Sequence, residues 1–182
     1  MTSRERILAA LNHREPDRVA VDFGSHRSSG IAALAYARLR RALGLPERPT
    51  RIYDTIQQLA VIDDDVLDRL GVDTIELGRG FALDDADWVD WPLPDGSPAQ
   101  VPAWARPERE EGRWVYRSHA GNAIAVMPDG ALYFDQGHWP FLETDDLDAI
   151  EAGLDEILWS AIASPPGPLV AGPGGDERLA EG

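Results

Sequence analysis

The spacing of hydrophobic residues predicts alternating helices and strands over the first 83 residues. In residues 63–77, Asp63 caps a predicted helix, Gly71 ends it, and a run rich in β-branched and aliphatic residues follows over 72–77. A helix, a glycine and a strand in so few residues are typical of the second half of a βαβ unit. The predicted strand ends at a glycine-flanked Arg79, which places this arginine where a parallel sheet or a barrel binds its ligands.

A similar unit is predicted closer to the N-terminus. A first helix begins at the capping residue Thr2, and the alternating residues 19–23 predict a strand after it. The polar loop that follows contains His26 and Arg27 and leads into a predicted helix over 31–43. His26 and Arg27 are therefore expected just past the carboxyl end of a strand, which is again a position for ligand binding.

Residues 51–62 are ambiguous between a helix and an extended loop, and the spacing of their aliphatic residues favours a helix. On that helix Tyr53 and Gln57 are four residues apart, so both side chains would point at the same ligand. Packing of these two residues in the core, with a hydrogen bond, is an equally good interpretation.

The pattern changes after residue 83, where short strands alternate with turns that contain proline and glycine. Connections this short join antiparallel strands, so residues 84–142 are predicted to form a β insertion or lid. Asp135 follows a predicted strand over 131–134 and reaches a ligand if this lid folds over the site. The organisation predicted for the whole chain is the first βα units of a barrel (1–83), the insertion (84–142), a helix (143–163), and a Pro/Gly-rich connection with the start of another helix (164–182).

Composition limits the classes of function. The 182 residues carry a net charge of −15, which disfavours a nucleic-acid partner because phosphate binding requires clustered Lys and Arg. There is no cysteine, so the chain offers no disulfide, thiolate metal ligand or cysteine nucleophile. No apolar run is long enough for a membrane span, and the charged N-terminus is unlike a signal peptide. A cytoplasmic location is expected.

Three stretches of the sequence resemble the uroporphyrinogen decarboxylase superfamily. They are RERILAALNHREPDRVAVDFG, RIYDTIQQLAVIDDDVLDRLGVDTIELGRGF and PDGALYFDQ. The resemblance covers nearly the whole chain in order, but it corresponds to the N-terminal half of a family member. It implies an α/β fold: the N-terminal part of a (β/α)8 TIM barrel with an antiparallel β-hairpin insertion, and a site at the carboxyl ends of the strands.

Two departures from the family pattern bear on the reaction. The arginine-rich motif of the true decarboxylases is reduced here to His26 and Arg27, and Gly78-Arg79-Gly80 stands where those enzymes have an aspartate. The resemblance therefore favours the methyl-transfer branch, whose members work with a corrinoid or other tetrapyrrole partner. One alternative is the decarboxylase reaction itself, with Arg27 and Arg79 holding substrate carboxylates.

A further alternative is an inactive partial barrel that acts as a binding or homo-oligomerising module. No catalytic residue is assigned, because no carboxylate pair or Ser-His-Asp order stands out. No metal site or cofactor is expected within this chain; in full-length methyltransferase relatives, zinc and a corrinoid are used and the zinc ligands come from the C-terminal half. The residues expected to contact a small-molecule or tetrapyrrole ligand are Arg79, Arg27, His26, Tyr53, Gln57 and Asp135.

Overall fold

The computed structural model describes residues 1–76, 84–118 and 121–153, apart from the side chain of Trp104. Within these residues the chain is a mixed α/β structure with four α-helices and two four-stranded sheets. The helices are α1 (Ser3–Leu11), α2 (Ala33–Ala42), α3 (Asp64–Leu70) and α4 (Leu147–Ala152).

The two sheets differ in strand direction. The first has the order β2-β1-β4-β3, and its central strands β1 and β4 are parallel, whereas the two outer pairs are antiparallel. The second has the order β5-β6-β7-β8 and is antiparallel throughout. The strands are β1 (Thr50–Asp54), β2 (Leu59–Ala60), β3 (Trp88–Asp90), β4 (Ala99–Pro102), β5 (Glu108–Glu110), β6 (Arg113–Arg117), β7 (Ala123–Pro128) and β8 (Asp135–Gln136).

The helix boundaries predicted from capping residues are confirmed. The Thr2 hydroxyl accepts a hydrogen bond from the Glu5 amide at 3.2 Å, and the Glu5 carboxylate accepts one from the Thr2 amide at 2.8 Å. This capping box begins α1. Gly71 ends α3 with a φ of 63°, a left-handed conformation that glycine adopts without steric cost.

The strands predicted over 19–23 and 72–77 are not formed within the described residues, and Leu77 itself lies outside them. The two segments nevertheless run side by side. The Asp73 amide donates to the Val21 carbonyl oxygen at 2.8 Å, but the Val21 amide donates to the Asp73 carboxylate instead of to a backbone carbonyl. A side chain therefore replaces part of the backbone ladder, which explains why the strand prediction was wrong.

These paired segments, residues 18–24 and 71–76, run in the same direction. Each successive contact moves forward along both segments, which is the arrangement of neighbouring parallel strands. The contacts are Arg18 Nη2 to the Gly71 carbonyl (2.8 Å), the Asp73 amide to the Val21 carbonyl (2.8 Å) and Thr74 Oγ1 to Asp22 Oδ1 (2.6 Å).

The helix predicted over 51–62 is also wrong, because β1 and β2 form an antiparallel hairpin there. The Gln57 amide donates to the Asp54 carboxylate at 2.9 Å, and Gln58 adopts a φ of 52°. An aspartate that accepts from the amide three residues later is also the pattern of a helix N-cap. The same local signal serves a turn here, because buried aliphatic residues on both sides hold the chain in strands.

The insertion predicted over 84–142 consists of antiparallel hairpins, as expected, but it is attached to the N-terminal part by a parallel strand pair in which Thr50 lies opposite Ala99. The strand predicted over 131–134 is wrong; the edge strand is β8. The main core lies between the sheets, where Trp91 packs on Trp114 and Phe134.

The last described helix, α4, begins after the predicted cap: Asp146 accepts from the Asp148 amide at 3.1 Å. Leu147, the first residue of this helix, is 77% exposed. The remainder of that predicted helix and the Pro/Gly-rich connection after it, residues 154–182, lie outside the described residues.

Candidate functional site

A pocket of about 280 Å³ lies where the paired segments end. Its walls come from the end of the first segment, the stretch after β2, the first half of α3 and the end of the second segment. In a parallel α/β structure, ligands bind at the carboxyl ends of neighbouring strands, and this pocket occupies the corresponding position. The lining residues are Phe23, Gly24, Ser25, Val61, Ile62, Asp64, Leu67, Thr74, Ile75 and Glu76.

The charge of this pocket is negative in its described walls. Asp64 and Glu76 contribute carboxylates, Ser25 and Thr74 contribute hydroxyls, and no Lys, Arg or His is among these lining residues. Such walls repel the carboxylates of an anionic ligand and suit a neutral or cationic group.

Asp22 joins the two ends of the paired segments beside the pocket. Its carboxylate accepts from the Thr74 hydroxyl at 2.6 Å and from the Ser25 amide at 3.3 Å. Burial alone raises the pKa of Asp22, but the hydroxyls of Ser25, Thr74 and Ser29 outweigh burial and lower it to about 2. Asp22 is therefore ionised at neutral pH and holds the pocket wall in place.

Arg27, predicted to bind ligand, is paired with a buried carboxylate that sequence analysis did not single out. Its Nε lies 3.7 Å from Oδ2 of Asp54, whose side chain is 1% exposed. The Gln57 amide and side-chain Nε2 donate to the same carboxylate at 2.9 and 3.0 Å. Burial raises the pKa of Asp54, and Gln57 and Arg27 only partly oppose that rise.

The other predicted site residues are dispersed. His26 is exposed and caps a short 3-10 turn, with its Nδ1 2.7 Å from the Ser28 hydroxyl and 3.3 Å from the Ser28 amide. Tyr53 is buried in β1 and packs with Leu59 and Val61. His26 thus has a local capping role, and Tyr53 has a place in the core.

Gln57 is exposed in the turn after β1, so it does not point with Tyr53 at a common ligand. Asp135 is exposed on β8, opposite Val126, and does not line the pocket. Arg79 lies outside the described residues. Of the six predicted residues, the structure brings together Arg27 and Gln57, which both contact the Asp54 carboxylate.

Asp54 was missed because its local sequence was assigned to a helix. The available signal was the spacing of Asp54 and Gln57, three residues apart, directly after a run that also fits a strand. That spacing is shared by turns and helix caps, so it does not distinguish them by itself.

The chain matches no protein-family model, no curated protein and no solved structure at a significant level. Among the described residues, no helix has both the length and the apolar character needed to cross a bilayer. The same part of the chain contains no group of three or more His, Asp or Glu side chains placed to hold a metal ion.

Proposed function

We propose that this chain is the N-terminal part of a (β/α)8-barrel enzyme of the uroporphyrinogen decarboxylase superfamily, in its methyl-transfer branch, with a corrinoid or other tetrapyrrole partner and a cytoplasmic location. The observation that carries the proposal is the pocket with acidic walls at the ends of the paired segments. The sequence resemblance supports the family, and the charge of this pocket supports the methyl-transfer branch.

The position of the pocket supports the barrel part of the proposal. Two neighbouring segments run in the same direction; helix α2 follows the first along the chain, and helix α3 directly precedes the second. Barrel enzymes build their sites from the loops at this end of the strands. At about 280 Å³ the pocket suits a small methyl donor or acceptor, or one edge of a macrocycle, better than a whole tetrapyrrole.

The charge of the pocket supports the methyl-transfer branch over the decarboxylase alternative. A substrate with several carboxylates needs several cations, preferably arginines that bind carboxylates through two hydrogen bonds. Asp64 and Glu76 stand in the described walls instead, and Arg27 compensates the buried Asp54. Arg79 lies outside the described residues, three positions after the pocket residue Glu76, so its role as an additional cation stays a prediction.

Zinc would draw its ligands from outside the described residues, because these contain no suitable ligand cluster. No step of the reaction is assigned to a metal here. The described residues shape the pocket. Hydrogen bonds from Ser25, Thr74 and Ser29 keep Asp22 ionised, and Asp22 in turn holds the pocket wall in place.

Isothermal titration of the full chain with hydroxocobalamin and with uroporphyrin tests the proposal. We expect saturable corrinoid binding and at least about tenfold weaker binding of the octacarboxylate, equivalent to about 1.4 kcal/mol. Ser25→Leu fills part of the pocket and should weaken corrinoid binding. Ser28→Leu, an exposed position in the same loop that does not line the pocket, is the control.

Tighter binding of uroporphyrin than of hydroxocobalamin would favour the decarboxylase alternative. Equal effects of the two leucine substitutions would place the ligand elsewhere.

A second candidate function, a binding or homo-oligomerising module, is favoured by exposed apolar residues on the N-terminal region. Val19 is 81% exposed and Ile75 is 69% exposed, although both belong to the paired segments. Exposed apolar side chains beside an incompletely paired strand favour association. Light scattering that shows a concentration-dependent dimer, weakened by Val19→Asp, would support this candidate; a monomer at all concentrations would argue against its homo-oligomerising form.

A further inference from the structure

A second pocket, of about 180 Å³, lies beside the carboxyl end of α2. Three arginines and one glutamate line it, which is an unusual balance in a chain whose net charge is −15. The full lining is Ala37, Arg40, Arg41, Glu47, Arg48, Ser97 and Pro98. None of these residues belongs to the pocket at the ends of the paired segments.

Arg40 is the inner cation of this pocket, and its side chain is 3% exposed. Its Nη1 donates to Asp63 and Asp65 at 2.8 and 2.7 Å, and its Nη2 donates to Asp65 and the Pro46 carbonyl at 2.9 and 2.8 Å. The remaining donor, Nε–H, is buried and has no hydrogen-bond partner among the described residues. A buried donor without an acceptor costs about 1–3 kcal/mol, so an acceptor at this position is favoured.

The other two arginines stand closer to solvent. Arg48 is about half exposed and shares Asp63 and Asp65 with Arg40, at 3.2 and 2.7 Å. Arg41 forms no salt bridge with any described residue; its Nε makes a long, 3.4 Å contact to the Ala37 carbonyl. The pocket is therefore lined by one buried arginine, whose Nε–H has no partner among the described residues, and by two arginines that stand closer to solvent.

We propose that this pocket binds a small oxyanion, a phosphate or carboxylate group of a small molecule. The oxyanion accepts from Nε–H of Arg40 and from the guanidinium groups of Arg41 and Arg48. Arginine is suited to this task because its planar fork donates two hydrogen bonds to phosphate or carboxylate oxygens. Glu47 opposes the anion from the same lining. The inference is independent of the function proposed for the first pocket.

The side-chain Nε–H resonance of Arg40 in a ¹⁵N-labelled full chain gives a direct test. Inorganic phosphate and acetate are titrated separately at constant ionic strength, because phosphate also stabilises proteins without binding to a site. We expect a saturable shift of the Arg40 signal with one of the two anions, and the tighter of the two identifies the oxyanion chemistry.

Arg41→Gln should weaken that binding about tenfold, which is the contribution of one charge-assisted hydrogen bond. Arg38→Gln is the matched control, because Arg38 lies on the same helix, is 68% exposed and does not line the pocket. Glu47→Gln should tighten binding several-fold by removing the opposing carboxylate. All three positions are exposed, so the variants should remain folded.

An Arg40 resonance that stays unchanged with both anions would overturn the proposal. So would equal weakening by Arg41→Gln and Arg38→Gln, since a general effect of net charge would then explain the binding. In either case Arg40 and Arg48 serve only to hold Asp63 and Asp65 at the start of α3.

Discussion

Two carboxylates with buried side chains, Asp73 and Asp54, lie in the N-terminal region, and their pKa values are shifted in opposite directions. Asp73 accepts from the Val21 amide, from Arg6 and twice from Arg18. Hydrogen bonding by the Val21 amide, the Ser3 side chain, Arg18 and Arg6 outweighs burial and holds the pKa of Asp73 well below its ordinary value. Burial raises the pKa of Asp54, because Gln57 and a single, more distant Arg27 compensate it only in part.

The comparison shows that Arg27 is already paired with a carboxylate of the protein itself, Asp54. The side chain of Asp54 is 1% exposed and pairs with Arg27, so a substrate carboxylate that captured Arg27 would remove the positive charge beside this buried carboxylate. The paired segments beside Asp73, by contrast, are joined by hydrogen bonds to the Asp73 carboxylate from Val21, Arg6 and Arg18, and their ends form part of the wall of the first pocket. This difference is the reason that the decarboxylase alternative, which relies on Arg27, is the weaker one.

The largest expected effect comes from Asp73→Asn. The substitution removes the charge that two arginines share, so we expect the greatest fall in melting temperature among the variants discussed here. Asp68→Asn, an exposed position on α3, is the control and should leave the melting temperature nearly unchanged.

Acidification sharpens this prediction. Because the folded-state pKa of Asp73 is depressed, its contribution to stability is present above the unfolded-state value of about 3.9 and is lost as the pH falls below it. Asp73→Asn should therefore lose less stability than the wild type between about pH 4 and pH 2. An equal loss in both proteins would contradict the assignment.

A smaller effect, with the opposite dependence on pH, is expected for Asp54→Asn. The folded-state pKa of Asp54 is raised, so protonation favours the folded state, and this contribution grows as the pH falls from neutral towards about 4. Asp54→Asn should remove that gain while keeping an acceptor for the Gln57 amide, and should change stability by less than about 1 kcal/mol at pH 7. Denaturant titrations at several pH values measure it, and a wild type whose advantage grew with rising pH would contradict the raised pKa.

The smallest effect is expected for Arg27→Gln. It removes the cation closest to Asp54, so the pKa of that carboxyl should rise further, with a loss of stability of about 1 kcal/mol or less at neutral pH. A chemical-shift titration of the Asp54 carboxyl carbon measures the change. An unaltered pKa would show that Arg27 does not compensate Asp54.

Sequence signals that act over a few residues predicted their elements correctly. Thr2 and Gly71 bound helices, and the turns at 94–96 and 128–130, which contain proline and glycine, join antiparallel strands, because each signal depends on local backbone conformation. The prediction for the residues of β1 and β2 was wrong because Asp54 and Gln57 fit both a turn and a helix cap.

The contacts that define both candidate pockets depend on residues distant in sequence. Arg18 and Asp73 are 55 positions apart, and Arg40 and Asp65 are 25 apart. The spacing of hydrophobic residues carries no information about such pairs. The partnership of Arg27 with Asp54 was missed for the same reason. A ligand site after residues 19–23 and 72–77 stays a prediction; the first pocket lies beside the ends of these segments, but none of the predicted site residues lines it.

The central claim, that the first pocket serves methyl transfer and not decarboxylation, is tested most directly by incubating the full chain with uroporphyrinogen and separating the products by number of carboxylates. The account predicts that the octacarboxylate is recovered intact from the same preparation that binds hydroxocobalamin. Conversion to products with fewer carboxylates, abolished by Arg27→Gln, would contradict it.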